Sequence, residues 1–171
     1  MTEAAIFLIF PLCLAIAAVS DILTMTIPNR VSIILAAAFV PIAFMAGLPP
    51  AAIGMHLLAA AAVFAACFAL FALNVMGGGD AKLLTAAALW FGYDPSLAAF
   101  VVYVGIIGGA VTLVILGIRM YSDVILATGL PVPHSILTAK KVPYGIAIAI
   151  GGFLAFPQSP LFLAALEAVK S

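Results

Sequence analysis

The chain has 171 residues, of which 67% are hydrophobic and 7% charged, and its six basic residues balance its six acidic ones. A soluble domain of this size cannot bury so much apolar surface, so a soluble fold is excluded. A chain without net charge also has no basic surface to neutralise phosphates, which argues against nucleic acid as a partner. The expected environment is the lipid bilayer.

Charge-free stretches punctuated by glycine and proline predict the membrane spans. A helix needs about 20 apolar residues to cross the hydrocarbon core. The first span is expected to be a retained helix, because Glu3 and the lack of a basic residue before its apolar run differ from a secretory signal. Between Arg30 and Asp80 lie 49 uncharged residues, enough for two spans and the turn 47–50. In chain order, the predicted spans are 4–20, 31–47, 52–73, 81–92, 97–117 and 143–157.

These elements predict an all-α fold, a polytopic membrane bundle of about six transmembrane helices in one domain over residues 1–171. The fourth span is too short to cross alone, since only 11 residues separate Lys82 from Asp94, so its helix should begin at or before Asp80. The tail 161–170 is expected to form a small interfacial helix. Loop 118–142 is the long polar connection, and the best candidate for a segment that moves or meets a partner.

Basic residues in the loops predict the orientation. Five of them fall on one side of the six-span bundle and only Lys170 falls on the other; the five are Arg30, Lys82, Arg119, Lys140 and Lys141. The first side is therefore expected to be cytoplasmic, with both chain ends outside. Asp21 and Asp80 then lie on the same, cytoplasmic side.

Asp21 and Asp80 are the acids that suggest chemistry. A carboxylate at the centre of a membrane helix costs about 2.5–3.5 kcal/mol on insertion scales. Two neighbouring carboxylates do not both ionise easily, so one can act as general base and the other as general acid in hydrolysis. Glycines 77–79 allow unusual backbone angles and a close approach of another segment. The alternatives are a helix N-cap for Asp80 and an ordinary interfacial helix end for Asp21.

Three segments resemble one known family. Residues 77–83 read as GxGDxKL and are similar to the signature of the type IV prepilin peptidases, which are GxGD intramembrane aspartyl proteases. Asp21 followed by Ile27-Pro28-Asn29 resembles that family's first catalytic motif, and Pro143-Tyr144-Gly145 resembles the start of its last helix. We call residues 77–82, 27–29 and 143–145 the GGGDAK, IPN and PYG segments.

The resemblance implies that Asp21 and Asp80 are the catalytic pair of a membrane aspartic endopeptidase. It also implies supporting residues around them, namely Gly77, Gly79, Lys82, Pro28, Asn29, Pro143, Tyr144 and Gly145. Members of the family remove a short basic leader, which typically ends in glycine, from pilin precursors and pilin-like precursors. They do so at the cytoplasmic face of the bacterial inner membrane. No cofactor and no metal are expected.

The short chain indicates which members of the family it resembles most. Bifunctional relatives add a cytoplasmic insertion with a cysteine cluster and methylate the new N-terminus, so methyltransferase activity is not expected here. The short form resembles the prepilin peptidases of tight-adherence (Flp) pilus systems. A homodimer remains open, and the weak match Gly105-x-x-x-Gly109 could let two helices approach closely.

Two other function classes stay open at this point. A small proton- or cation-coupled transporter could use the same acids, although it would not need the glycine run. A structural membrane subunit of a pilus assembly would need no chemistry at all.

The remaining polar and aromatic residues suggest structural roles. Cys13 and Cys67 are expected to pack in apolar spans, and His56 is expected to make a hydrogen bond between helices. His134 is expected to be a solvated loop residue. The pair Tyr93-Asp94 is expected to lie in an outer loop, and an outer interfacial belt is predicted for the aromatic residues Trp90, Phe91 and Tyr93.

Overall fold

The computed structural model describes residues 2–122 and 142–170, and within these ranges the chain is all-helical. The helices are α1 Thr2–Thr24, α2 Asn29–Met45, α3 Pro50–Ala72, α4 Gly78–Ala88, α5 Pro95–Met120, α6 Gly145–Ala155 and α7 Pro160–Lys170, with a 3-10 turn at Phe156–Gln158 between the last two. The predicted helical membrane bundle is confirmed. Most of loop 118–142, including His134, lies outside the described residues.

In the part of the chain that the structure describes, three helices, α1, α3 and α5, are long and apolar enough to cross a membrane. The chain bends by 51° between α6 with its 3-10 turn and α7. If these two helices are counted together as one bent span, they make a fourth. Helix α2 has 17 residues and α4 has only 11. At about 1.5 Å per residue, α4 covers roughly half of a hydrocarbon core about 30 Å thick. A helix lies at each predicted position, while the count of six spans stays a prediction.

Helices α1 to α6 alternate in direction, so the bundle has two distinct ends. Helices α1, α3 and α5 finish at the end where α2, α4 and α6 begin, and we call this the acid end because it holds Asp21 and Asp80. The chain turns at Gly47 at the opposite, far end and at Gly92 after the short helix α4, and these glycines have φ values of 72° and 69°. Glycine suits these turns because a Cβ atom disfavours positive φ.

Helix α6 packs on α5 and α1, whereas α4 packs on α3 and α2. The α5–α6 contact depends on Gly151, where an added Cβ atom would lie 2.8 Å from Val104 Cγ2 and 3.0 Å from Val104 N. The predicted small-residue pair behaves differently, because no atom of residues 2–122 or 142–170 lies within 4 Å of a Cβ atom built at Gly105 or Gly109. Within these residues, the close approach of α5 and α6 occurs at Gly151 and not at the Gly105-x-x-x-Gly109 match.

The predicted outer aromatic belt is wrong for Trp90 and Phe91. Both are fully buried, and only Tyr93 is exposed. Because α4 is short, the chain turns back inside the bundle and places these two rings among core aromatics such as Phe10 and Phe156. The Trp90 indole N–H donates a hydrogen bond to the carbonyl oxygen of Leu35, at 3.0 Å.

The predicted hydrogen bond of His56 is confirmed. The buried ring joins α3 to the end of α4 through a hydrogen bond between Nδ1 and the Leu89 carbonyl oxygen. Gly92 makes room for this ring, because a Cβ atom there would lie 2.9 Å from His56 Nε2. Cys13 and Cys67 are buried free thiols, as expected of packing residues.

Gly151→Ala should destabilise the bundle, because the added methyl group meets the α5 backbone. Overpacking of this kind costs about 1–3 kcal/mol of the free energy of unfolding. The matched control Gly109→Ala adds the same atom to an open helix face and should be neutral or stabilising by up to about 1 kcal/mol. Unfolding by SDS in mixed micelles measures both variants, and equal midpoints would contradict a tight α5–α6 contact.

Candidate active site

Asp21 lies in the last turn of α1 and is only 5% exposed. Its Oδ2 atom accepts a hydrogen bond of 2.7 Å from the backbone N–H of Gly145, the first residue of α6. The first N–H groups of a helix have no partner within the helix, and its N-terminus attracts negative charge. The carboxylate of Asp21 therefore accepts a hydrogen bond from an N–H group that has no partner within α6. The same hydrogen bond holds the side chain of Asp21 in place.

Each residue of the PYG segment has a physical role beside Asp21. A Cβ atom at Gly145 would lie 2.9 Å from both Cβ and Oδ2 of Asp21, so only glycine fits without displacing the carboxylate. The ring of Tyr144 packs against Gly108 of α5, where an added Cβ atom would lie 2.6 Å from the ring. Pro143 is fully buried. The PYG segment thus anchors α6 beside both α1 and α5.

Asp80 lies in the first turn of α4 and is partly buried. The N-cap of this helix is Gly77, so the alternative that Asp80 itself is the N-cap is wrong. The Asp80 side chain folds back over Gly77, where a Cβ atom would lie 2.6 Å from Asp80 Oδ2. Gly77 has φ of −72°, an angle open to any residue. Glycine is needed here for space, and the expected unusual backbone angle is not found.

The GGGDAK segment also touches the IPN segment. A Cβ atom at Gly79 would lie 3.3 Å from Ile27 Cβ and 3.6 Å from the Ile27 nitrogen, so the two backbones lie close together. Lys82 Nζ donates a hydrogen bond of 3.0 Å to Asn29 Oδ1, which joins α4 to the start of α2. Pro28 is the N-cap of α2 in an extended conformation. These contacts hold the Asp80 turn in register with the loop that follows Asp21.

Both carboxylates line one cavity of about 270 Å³ at the acid end, which we call the first cavity. Its described lining is Asp21, Met25, Thr26, Ile27, Asn29, Gly77, Gly78, Gly79, Asp80 and Val142. The predicted pair of acids is therefore brought together, although 59 positions separate them in the chain. The GGGDAK and IPN segments line this cavity, and the PYG segment adjoins it through the hydrogen bond of Gly145 to Asp21.

A comparison with known protein families identifies the family of the chain. The sequence model of the type IV leader peptidase family matches residues 8–115. The chain belongs to that family. Searches of curated proteins and of solved structures found no significant match. The matched region contains Asp21 and Asp80 and ends before the PYG segment, so Gly145 contacts Asp21 from outside the matched residues.

Membership of this family makes the helical membrane protein a leader peptidase-like protease. Its acid end also has features that were not predicted from the sequence. Met25 and Asn74 are the described non-glycine residues with positive φ, at 53° and 61°. They lie in the two loops that enter the acid end, α1–α2 and α3–α4. Strained backbone of this kind concentrates at functional sites. No sequence signal marks either residue, since neither a methionine nor an asparagine in a loop is unusual.

Three hydroxyl groups around Asp21 in this leader peptidase also went unnoticed. Ser20 Oγ donates to the carbonyl oxygen of Thr26 at 2.9 Å, and Thr24 Oγ1 lies 2.7 Å from Thr26 Oγ1. These bonds tie the end of α1 to the loop that lines the first cavity. Their signal was available, because hydroxyl residues flank Asp21 at the end of the first apolar span.

Asp94, another acid of the described residues, lies apart from Asp21 and Asp80. Asp94 is the N-cap of α5, where Oδ1 accepts a hydrogen bond of 2.9 Å from the Ser96 N–H, and it lies beyond the opposite end of α4 from Asp80. This position agrees with the prediction that Tyr93-Asp94 is a loop pair apart from the site. Within residues 2–122 and 142–170, no three His, Cys, Asp or Glu side chains cluster as metal ligands would.

Gly145→Ala should lower peptidase activity, because the new methyl group displaces the Asp21 carboxylate from the first cavity. Misplacing a reacting group by about 1 Å can cost about 100-fold in rate. The measurement is the cleavage rate of a leader-bearing precursor in detergent. Gly54→Ala is the matched control, since nothing lies within 4 Å of a Cβ atom built at Gly54. Wild-type rates for Gly145→Ala would argue against a tight fit at this position.

Proposed function

We propose that the protein is a prepilin peptidase in which Asp21 and Asp80 activate water for peptide-bond cleavage. The observation that carries this proposal is the first cavity, which both acidic residues line in a chain of the leader peptidase family. The proposed substrates are pilin precursors and pilin-like precursors. The proposed location is the bacterial inner membrane, which the chain crosses several times as a single domain, and the short form favours the Flp type of pilus system.

The two carboxylates divide the acid–base work of hydrolysis. One takes a proton from water while the water oxygen bonds to the carbonyl carbon, and the other donates its proton to the carbonyl oxygen. The tetrahedral intermediate then collapses, the C–N bond breaks, and the amine leaves with a proton returned from a carboxyl group. Because Oδ2 of Asp21 is occupied by the Gly145 N–H, Oδ1 is the oxygen left for water or substrate. General acid–base catalysis typically contributes about 10²–10⁴-fold.

The charge distribution supports cleavage at the cytoplasmic face. Arg30 and Lys82 are exposed at the acid end. Lys170 ends α7, which packs beside the first residues of α1 at the far end. Basic residues favour the cytoplasmic side of a membrane. A precursor with a basic leader before an apolar segment would expose its cleavage site at this same depth, with the leader in water.

Replacement of either acid tests the proposal. Purified protein is mixed with a precursor that carries a short basic leader before an apolar segment, beside the variants Asp21→Asn and Asp80→Asn. Each variant should lose about 10²–10⁴-fold in cleavage rate, because asparagine keeps the shape and cannot exchange the proton. Asp94→Asn is the matched control; it removes one acid while keeping an N-cap oxygen, so its rate should stay near wild type.

The outcomes separate the candidate functions. Continued cleavage by Asp21→Asn or Asp80→Asn removes that residue from the mechanism. Proton or cation flux in liposomes without proteolysis would favour the transporter, and wild-type protein with neither proteolysis nor flux would favour a structural subunit.

A further inference from the structure

A groove of about 410 Å³ lies on the outside of the bundle where α2 and α4 pack together, and we call it the α2–α4 groove. Its described lining is Asn29, Ser32, Ile33 and Ala36 of α2, Phe64 of α3, and Lys82, Thr85, Ala86 and Leu89 of α4. Ile33 and Phe64 are 63% and 51% exposed, so the groove opens to the surroundings of the protein. Among these lining residues, Asn29 is shared with the first cavity, whereas Asp21 and Asp80 do not line the groove.

The groove becomes less polar with distance from the acid end. Asn29 and Lys82 lie at the acid end, joined by the hydrogen bond from Lys82 Nζ to Asn29 Oδ1. Seven residues further along each helix, the lining residues are Ala36 and Leu89. At about 1.5 Å per residue, the groove extends about 10 Å from the acid end towards the far end. A ligand that fits it has a polar head and an apolar chain.

Ser32 supplies a hydrogen-bonding group part-way along the groove. It is 7% exposed, and its hydroxyl has no hydrogen-bond partner among the described residues. The neighbouring hydroxyl of Thr85, by contrast, donates to the carbonyl oxygen of Ala81 at 2.8 Å. An unpaired buried hydroxyl is costly, so a ligand atom that accepts a hydrogen bond from Ser32 is favoured. Ser32 lies about 4.5 Å beyond Asn29 along α2.

The charge at the polar end of the groove is positive. Lys82 is exposed there, and Arg30, also exposed, lies on the same side of α2 as Ile33 because residues three apart are neighbours on a helix. Among the described residues that line the groove, none is acidic. A lysine ammonium has three N–H donors and Asn29 accepts from one, so Lys82 can bind an anion without releasing Asn29. The head of the ligand is therefore expected to be anionic.

We propose that the α2–α4 groove binds one anionic phospholipid. The phosphate lies at Lys82, and an ester carbonyl oxygen accepts a hydrogen bond from the Ser32 hydroxyl. One acyl chain then lies along Ala36 and Leu89. The groups of a phospholipid follow one another in the same order as these residues, and anionic lipids belong to the cytoplasmic leaflet, where the basic residues favour placing the acid end. This site is separate from the proposed peptidase chemistry and does not depend on it.

Native mass spectrometry of the purified full chain tests the headgroup contact. The protein is titrated with phosphatidylglycerol or with phosphatidylcholine of the same acyl chains, which has no net charge. Wild type should bind one phosphatidylglycerol at least about tenfold more tightly, because two basic side chains lie at the polar end. Lys82→Gln should lower this preference by about fivefold. Lys170→Gln is the matched control, since it removes the same charge from the end of α7 and should keep the preference.

Two further variants test the chain and the ester. Ala36→Phe fills the apolar part of the groove and should weaken binding of both lipids by at least about tenfold, because an acyl chain loses the contacts of two or more methylene groups. Ala37→Phe is its matched control, since Ala37 is exposed on the same helix and does not line the groove. Ser32→Ala removes one hydroxyl and should weaken both lipids by about fivefold, because both carry ester carbonyls.

Inorganic phosphate separates a lipid site from a site for the anion alone. It should displace no more phosphatidylglycerol than sodium chloride of the same ionic strength does. Greater displacement by phosphate, equal binding of both lipids by wild type, or equal lipid binding by Ala36→Phe and Ala37→Phe would overturn the proposal. If Ala36→Phe does not fold, thermal unfolding of wild type in detergent decides instead, since phosphatidylglycerol should raise the Tm more than phosphatidylcholine and an equal rise would contradict the site.

Discussion

The hydrogen bond from the Gly145 N–H to Asp21 Oδ2 is the interaction on which the acid end depends. It joins residues 124 positions apart and links the end of the first helix to the start of the sixth. A buried carboxylate needs hydrogen-bond donors, and a buried helix N-terminus needs acceptors, so each group removes the other's cost of burial. The Gly145 N–H therefore helps to stabilise the buried carboxylate of Asp21 at this edge of the bundle.

The glycines at the acid end matter because they have no side chain, and not because they adopt unusual backbone angles. Gly145 lets α6 reach Asp21, Gly77 leaves room for the Asp80 carboxylate, and Gly79 lets the Asp80 turn touch Ile27. At each position a methyl group would lie within 3.3 Å of a neighbouring atom. Three separate segments can meet around the first cavity because the chain carries no side chain at these contact points.

The sequence was sufficient for the parts of the structure that local chemistry decides. Hydropathy predicts the positions of the helices because long apolar segments are stable in the hydrocarbon core of the bilayer. The acids stand out because charge is costly in lipid, and the six-span alternation alone brings Asp21 and Asp80 to one side. The N-cap of α4 was less accessible, because Gly77, Gly78 and Asp80 are all acceptable caps and only the backbone angles separate them.

Long-range packing was beyond such reasoning. Trp90 and Phe91 read as interfacial aromatics, since they follow an apolar span and precede a charged loop. Their burial depends on α4 ending halfway across the bundle, with Leu35 of α2 offering a carbonyl oxygen to the indole N–H. The hydrogen bond between Asp21 and Gly145 could not be predicted either. The resemblance of the PYG segment indicates where a helix begins in the chain, but not which residue it contacts.

The short length of α4 links this aromatic core to the proposed chemistry. A helix that spanned the full membrane would fill the bundle from end to end, whereas α4 begins at the acid end and stops after 11 residues. The space beyond it is filled by tightly packed rings, with Phe10 stacked on Phe156 at 4.1 Å and Phe91 on Phe100 at 4.6 Å. Close packing of this kind leaves few voids large enough for water. A close-packed core on the far side of α4 from the carboxylates suits the proposed hydrolysis at one membrane face better than movement of ions across the membrane.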